Sequence, residues 1–482
     1  MLHAAPFVWD GGGVDTNFST AANWNPDGAP PDDGTADLHF AGSNHTTPNA
    51  ETGYLLNSIT FDTGAAAFTV GGQTLELEGG GLTNNSANTQ TINSQVLLAV
   101  NQTWNFASGA GTLNLGNTVE VASAATWTLG TGTLSLTDTG TYLIVDGAAG
   151  TTGVALSGTA KLTDVNVVVG FTNAGFFNQT GGTHTVSGNL ILGYPGDGQS
   201  GATSNGSYTL SGTGQLNTSV AQIGNIGTAT FTQTAGTHTN TGGVLIGLNG
   251  GTGSYSLSGT AQLSTVDVYV GYSGASTATF TQSGGTHTAS DALYLGYGAG
   301  TSGTYALSVG TLNTATTYVG YTDTGIFNQS GGTHTVTTTL FVGFPGDGNS
   351  GATSNGSYTL SGTGQLNTGT TQVGNTGTGT FNQTGGTHIV SGGSGLLLGL
   401  NGGSGSYSLS GTGTLTTDGT QVGNTGTGTF TQTGGTHTDS NGLLIGVNAG
   451  SGTYSLSAGQ LSTGGTVVGY SGAATATFTQ TG

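Results

Sequence analysis

One motif of this chain returns at nearly constant spacing, and the spacing limits the possible folds more than any other feature. The motif is a phenylalanine with glutamine two positions later, and all but the last copy continue to Gly-Thr-His. Its phenylalanines are Phe177, Phe231, Phe280, Phe327, Phe381, Phe430 and Phe478. The spacings between them repeat after 150 residues, which indicates that a block of three units is duplicated.

Each unit contains two copies of a shorter pattern. The segment that begins at Tyr208 aligns with the one that begins at Phe231, and Leu216 then aligns with His238. The step is therefore 22 to 26 residues, or 31 where a Pro-Gly-Asp-Gly segment is inserted. Apolar and polar residues alternate within each segment, which is typical of half-buried strands, and glycine-rich turns separate the segments. One such step cannot bury its own apolar face, whereas stacked steps can.

The pattern therefore predicts an all-β fold. We expect a single elongated parallel β-solenoid (β-helix) of about 20 coils, with 22–26 residues per coil and an N-terminal cap. Residues 1–50 are expected to form the cap with its aromatic and acidic loops, 51–153 degenerate coils, and 154–482 the regular repeats. Phe7, Trp9 and Trp24 are expected to pack over the first coil, because an uncovered solenoid end exposes hydrogen-bonding edges.

Six of the nine histidines occupy one repeated position. Strand alternation turns the Phe and Gln of the motif inward, and it places each His where the neighbouring coil has an inward Leu. We predict a structural core ladder in which buried, neutral imidazoles bond to Gln or to main chain. Its residues are Phe177, Gln179, His184, Phe231, Gln233, His238, Phe280, Gln282, His287, Phe327, Gln329, His334, Phe381, Gln383, His388, Phe430, Gln432 and His437.

A metal array is the sharper alternative for these histidines. Equivalent side chains in alternate coils would lie roughly 9.6 Å apart, at twice the spacing of adjacent strands. That distance is too long for one ion, because a His–Zn bond measures about 2 Å. The chain has no cysteine to contribute a ligand. The sequence therefore predicts no metal, no cofactor and no catalytic residue at this position.

The charge of the chain is strongly one-sided. It has 21 acidic residues, one lysine (Lys161) and no arginine, for a net charge of −20. Binding to nucleic acid or to anionic lipid depends on basic residues, so both partners are disfavoured. The chain has no apolar run of the roughly 18 residues that a membrane helix needs. We therefore predict no nucleic-acid partner and no direct membrane insertion of this segment.

The carboxylates are too dispersed to predict an enzyme. Polysaccharide-cleaving β-helices need clustered acids, usually with a basic residue or calcium. In the repeats, Asp197 and Asp347 recur in the inserted turns, but each stands alone. The acids that cluster are Asp27, Asp32, Asp33 and Asp37, which suit a solvated loop, with calcium binding as the alternative.

Two binding activities remain open as alternatives. Thr237 and Thr239 would point outward and could belong to a row that binds ice, although Gln215, Asn217 and Ile389 interrupt the row. Aromatic side chains can also stack on sugars, which keeps carbohydrate binding open.

Two parts of the sequence resemble a known family. The opening FVWDGGGVDTNFSTAANWNPDGAPPDDGTADLHF resembles the Trp…Asn-Trp…Gly-x-Pro start of bacterial autotransporter-type passenger proteins. The Tyr-x-Leu-Ser-Gly-x-Gly-x-Leu and Phe-x-Gln-x-Gly-Gly-Thr-His coils resemble repeats associated with type V secretion and PEP-CTERM proteins. This resemblance implies export, a β-solenoid and a surface or matrix location, and it implies no catalytic residues. The sequence shows neither the translocator barrel nor the Pro-Glu-Pro sorting tail of that family.

The functional prediction combines these observations. We expect an exported bacterial structural β-solenoid that forms a cell-surface or extracellular fibre or matrix component and is not an enzyme. Its expected partners are other copies of itself, joined head to tail or laterally, and a surface polysaccharide. The alternative is an adhesin that binds a host or polysaccharide ligand through inserted loops such as residues 194–206.

Overall fold

The computed structural model describes residues 6–107, 109–136, 140–147, 150–195, 204–346 and 354–481. In these residues the regular structure is β-strand, apart from a single 3-10 turn at Ala21–Asn23. The chain divides into two compact units, residues 1–239 and 240–482. Each unit is a parallel β-solenoid, and the two contain about 18 turns in all. The predicted fold class is confirmed, and the number of turns is slightly below the predicted one.

The first unit is built from short strands, most of them three to six residues long. Together with the strand that contains the boundary, they are Phe7–Trp9, Trp24–Asn25, Asp37–Phe40, Asn49–Ala50, Tyr54–Phe61, Thr69–Gly72, Leu75–Asn84, Gln90–Ile92, Val96–Leu98, Gln102–Phe106, Leu113–Leu115, Val119–Ser123, Thr126–Leu129, Thr133–Leu136, Tyr142–Gly147, Gly153–Leu156, Lys161–Asp164, Asn166–Val169, Ala174–Gln179, Thr183–Leu192, Asn205–Leu210, Gln215–Asn225, Thr228–Gln233 and Thr237–Leu248.

The N-terminal residues of the first unit pair with its ladder. Phe7–Trp9 pairs in parallel with Asp37–Phe40 and antiparallel with Trp24–Asn25. Trp9 and Trp24 are completely buried, and their rings meet edge to face at 5.0 Å. The aromatic residues of this region therefore pack into the start of the solenoid, and their role as a cap stays a prediction.

The second unit has longer strands, several of which run through a corner of the coil. They are Thr252–Leu257, Gln262–Thr265, Val268–Val270, Thr277–Leu295, Ser302–Val319, Thr324–Gln329, Thr333–Val342, Asn355–Leu360, Gln365–Asn375, Thr378–Gln383, Thr387–Val390, Leu396–Leu400, Ser404–Leu409, Thr414–Thr417, Thr420–Asn424, Thr427–Asp439, Leu443–Val447, Ser451–Thr463, Thr466–Tyr470 and Thr475–Gln480.

Each regular coil has three strand segments that we number in chain order. The first segment carries Tyr-x-Leu or Phe-x-Gln, the second an inward Leu or His, and the third a pattern such as Val-x-Val. The register places Phe280 beside Tyr305 and His287 beside Leu312. The predicted alignment of histidine with a leucine position is therefore confirmed between these neighbouring coils.

Glycine at the end of the third segment lets adjacent coils approach closely. Gly374 has φ +70°, a conformation that side chains with a Cβ rarely adopt. A Cβ added there would lie 2.2 Å from the carbonyl carbon of Ser404 in the next coil. Both the turn and the backbone contact require glycine, which explains why it recurs at this corner in almost every coil.

Candidate functional site: the buried histidine rungs

All eighteen residues of the predicted core ladder lie in the interior, and none is more than 1% exposed. In the coil of Phe381, the phenylalanine ring stacks on His388 of the same coil at 5.0 Å. It also stacks on Tyr407 of the next coil at 4.6 Å, and His388 and Tyr407 are 6.1 Å apart. We call this set, a Phe-Gln-His coil with the tyrosine of the next coil, a histidine rung.

The tyrosine hydroxyl lies between the glutamine and the histidine of its rung. Tyr407 Oη donates to Gln383 Oε1 at 2.6 Å and is 3.1 Å from His388 Nδ1. The same two contacts recur at Tyr208, Tyr305, Tyr358 and Tyr454.

This geometry corrects the prediction that each imidazole bonds to Gln or to main chain. In these five rungs the partner of Nδ1 is a tyrosine of the next coil. The reason is the stack itself, because tyrosine has the length of phenylalanine plus one hydroxyl. That hydroxyl extends past the phenylalanine ring into the space between the two polar side chains.

The glutamine amide is also fully used. Gln383 Nε2 donates to the carbonyl oxygens of Gly386, at 3.2 Å, and of Thr414, at 2.9 Å. Its Oε1 accepts from the tyrosine, so every strong hydrogen-bonding atom of the amide has a partner. The amide of this buried glutamine is therefore satisfied, whereas an unpaired polar group there would be costly.

Threonine hydroxyls occupy the other side of the imidazole in five of the six His coils. His388 Nε2 lies 3.1 Å from Thr371 Oγ1 and 3.5 Å from Thr368 Oγ1. Because the tyrosine donates to glutamine, its oxygen accepts from Nδ1–H, and Nε2 is left to accept from threonine. The ring is thus a neutral imidazole with both nitrogens bonded. Burial lowers the pKa to about 3 in His238, His334, His388 and His437.

One rung of the first unit differs from the others. His184 Nε2 faces Asp164 Oδ2 at 2.8 Å, and both side chains are completely buried. In the rung of His238 the equivalent partner is Thr218, whose Oγ1 is 2.9 Å from Nε2. Burial raises the pKa of Asp164, while the neighbouring His184 lowers it. Asp164 Oδ1 has no hydrogen-bond partner among the described residues.

The predicted acidic positions do not converge on a site. Asp32 Oδ1 accepts from the Leu55 amide, and Asp33 Oδ1 accepts from Thr35. In the part of the chain that the structure describes, no three His, Cys, Asp or Glu side chains are grouped so that they could hold a metal ion. Asp197 and Asp347 lie outside the described residues.

Sequence reasoning missed three parts of this arrangement. Strand alternation turns the tyrosines inward but gives their hydroxyls no partner, although Tyr-x-Leu coils alternate visibly with Phe-x-Gln coils. Asp164 stands where later coils have threonine, as at Thr218, a departure that the alignment already contained. Strand alternation also places Tyr269, Tyr294, Tyr318 and Phe341 on the outer face of successive coils, a signal that the sequence already contains.

Comparison of the whole chain with protein-family models, curated proteins and solved structures found no match. Within the described ranges, no helix has the length and apolar character needed to cross a membrane.

Proposed function

We propose that this protein is an exported bacterial structural β-solenoid, part of a cell-surface or extracellular fibre or matrix. The observation that carries the proposal is the repeated interior of the second unit. From Tyr255 to Phe478, aromatic rings of successive coils stack at 4.5–5.5 Å, alongside an unbroken parallel ladder. Each coil holds its neighbours through the same contacts, and such a body resists bending and local opening.

Two further observations support an extracellular structural role. One lysine and no arginine leave trypsin-like proteases almost no cleavage site. The polar side chains of the rungs are buried, and none of them is turned toward solvent. The resemblance of the repeats to those of secreted passenger proteins points to the same location.

The last strands of the second unit offer a surface for assembly. Val467, Val468 and Tyr470 are 44%, 47% and 50% exposed. The strand Thr475–Gln480 pairs in parallel with Ser451–Thr463, and its side chains are largely exposed. We propose that copies of this chain associate end to end through these strands.

Electron microscopy of the purified chain tests this assembly. We expect filaments whose length increases with protein concentration. Val467→Lys combined with Tyr470→Lys should abolish them, because lysine on an exposed strand opposes strand addition. Val309→Lys is the matched control, since Val309 is 58% exposed but lies on an inner coil. Separate particles at every concentration, or equal loss of filaments in the control, would contradict the proposal.

A second candidate function is an adhesin that binds a polysaccharide. The predicted site was the inserted loop at 194–206, of which residues 196–203 lie outside the described residues. At its start, Tyr194 packs against Phe171 with ring centroids 6.2 Å apart. The observation that favours ligand binding lies elsewhere, on the outer surface of the second unit.

A further inference from the structure

Four consecutive coils of the second unit carry aromatic side chains on their outer surface. One column lies on the third strand segment, and the other lies just after the glycine that ends it. All eight rings are partly exposed, whereas their strand neighbours Val268 and Val270 are buried. We call them the aromatic strip: Tyr269, Tyr294, Tyr318 and Phe341 in the first column, Tyr272, Tyr297, Tyr321 and Phe344 in the second.

The strip is continuous along the coils and across the columns. In the first column, neighbouring rings are nearly parallel, with centroids 4.7, 4.9 and 5.0 Å apart. Rings of different columns meet edge to face, as Tyr269 and Tyr297 do at 4.8 Å. The strip thus repeats one pair of rings with each coil over four coils.

The fold does not require aromatic residues at these positions. The ladder register places Phe341 beside Gln372, and the following coils continue with Leu397, Gln421 and Leu444. The second column continues in the same way, with Asn375, Leu400, Asn424 and Val447. Amide and aliphatic pairs therefore close the same corner of the same solenoid. Eight aromatic residues in four adjacent coils need an explanation other than folding.

The surroundings of the strip are acidic and lack basic side chains. Burial, followed by the charge of Asp267, raises the pKa of Tyr269 and Tyr294. Burial and the charge of Asp291 raise the pKa of Tyr318 in the same way. Asp267 Oδ1 accepts from the amide of Ala292, two residues before Tyr294, and the amide of Asp291 bonds to the carbonyl of Val266, so both acidic residues lie beside the first column. The single lysine of the chain is at position 161, in the other unit.

We propose that the aromatic strip binds a polysaccharide that carries free amino groups. Aromatic rings pack well against the C–H faces of sugars, and they attract ammonium groups, as do the carboxylates of Asp267 and Asp291. One pair of rings per coil also suits a polymer that repeats along its length. The proposal deepens the adhesin function and moves its site from the inserted loop to the strip.

Other occupants fit the charges less well. Two strips facing each other would bring the carboxylates of two copies together, and the second unit has no lysine or arginine to offset them. A nucleic acid or an anionic glycan would meet the same repulsion. An amino-bearing glycan is therefore the occupant that complements this surface.

Calorimetry with two matched oligosaccharides tests the proposal. The first is a hexamer of glucosamine, and the second is its N-acetylated counterpart, which has the same backbone without the charge. The disruptive variant is Tyr269→Gln, Tyr272→Asn, Tyr294→Leu and Tyr297→Val. It introduces the side chains that the chain uses at Gln421, Asn424, Leu444 and Val447, so we expect it to fold.

We expect the charged hexamer to bind the intact protein at least about tenfold more tightly than the acetylated one. The four-residue variant should lose about tenfold in affinity, as the removal of several aromatic contacts implies. Asp267→Asn with Asp291→Asn should remove the preference for the charged hexamer. Tyr142→Leu, which changes an exposed aromatic residue outside the strip, should leave binding unchanged.

Three outcomes would overturn the proposal. They are equal binding of both hexamers, equal binding by the intact protein and the four-residue variant, and a strip-dependent dimer in sedimentation, which would make a second copy the occupant. None of them bears on filament formation, which depends on the last strands. The structural role and the glycan site can therefore fail separately.

Discussion

Two histidine rungs of the same design differ in one partner of the imidazole. In the second unit, His388 Nε2 accepts from threonine hydroxyls, and Nδ1 donates to Tyr407. In the first unit, His184 keeps the tyrosine partner, but its Nε2 faces the carboxylate of Asp164. The repeat therefore sets the position of the imidazole ring. One side chain of the preceding coil, threonine or aspartate, sets the hydrogen bond that the ring makes at Nε2.

This difference shows that the histidines are structural groups whose protonation is set by their surroundings. Beside a neutral ring whose Nδ1 carries the proton, a threonine hydroxyl donates to Nε2. A buried carboxylate beside the ring must share a proton or a charge with it, because an isolated charge in the interior is costly. The solenoid accommodates both arrangements with the same backbone, so exchanges between them are informative experiments.

The largest expected effect is acid destabilisation of the threonine-paired rungs. The pKa of His334, His388 and His437 is about 3 in the folded chain, against about 6.5 when unfolded. Between these values the unfolded chain binds more protons. The free energy of unfolding should therefore fall as pH falls from about 6.5 to 3, by up to about 1.4 kcal/mol per pH unit for each histidine. Urea unfolding followed by circular dichroism at several pH values measures this slope.

A variant that lacks one polar rung separates the contribution of histidine to the pH dependence of stability from the contribution of the carboxylates. Replacing Gln383 and His388 by leucine and Tyr407 by phenylalanine should reduce the slope by about one histidine's share. A slope that is unchanged in this variant would show that His388 does not titrate as its burial implies.

The next effect concerns the cost of breaking a rung. His388→Leu alone removes the donor to Tyr407 Oη and the ring nitrogen to which Thr371 donates, leaving Thr371 with its contact to Thr368. We expect a loss of about 1–3 kcal/mol at neutral pH, because buried polar groups then lack partners. The triple variant with Gln383→Leu and Tyr407→Phe should recover most of this loss.

The comparison between the single and triple variants is the decisive measurement, made by urea unfolding at pH 7. Leucine already occupies the matching positions of the neighbouring coil, at Leu409 and Leu415, so the triple variant should fit sterically. If the triple variant were less stable than the single one, the polar rung would make a net contribution to stability. Its side chains would then do more than satisfy each other's hydrogen bonds.

The sequence predicted the architecture because its signal is periodic and redundant. The match of Tyr208 to Phe231 set the register, and strand alternation then assigned inward and outward sides. The structure shows the same register and an interior made of the predicted side chains. Because many coils carry the same pattern, an irregular sequence in one coil does not change the predicted fold.

The polar partners were harder to predict, because each depends on a distance between coils. The hydroxyl of Tyr407 reaches Gln383 and His388 only because successive rings stack in nearly parallel planes. The contact of Asp164 is of the same kind, since a sequence pattern cannot show that its carboxylate points at an imidazole. The aromatic strip is readable from the sequence, since outward aromatic residues recur in four consecutive coils.

The smallest expected effect comes from Asp164→Thr, which gives the first unit the same rung as its neighbour. Because burial raises the pKa of Asp164, the folded chain retains a proton that the unfolded chain releases above about pH 4. The carboxyl therefore lowers stability as pH rises from about 4 through its raised pKa, and the cost persists at pH 7.

Asp164→Thr should remove that cost. We expect it to stabilise the chain by about 1 kcal/mol at pH 7 and by less near pH 4, since it also eliminates the unpaired Oδ1. The reciprocal Thr218→Asp should destabilise the rung of His238 with the opposite pH dependence. Stabilisation that grows toward acid pH, or a loss at pH 7, would mean that the pair of Asp164 and His184 is held as a favourable ion pair. In that case the Asp164 carboxylate stabilises the first unit. The two rungs then differ because one is charged and the other is neutral.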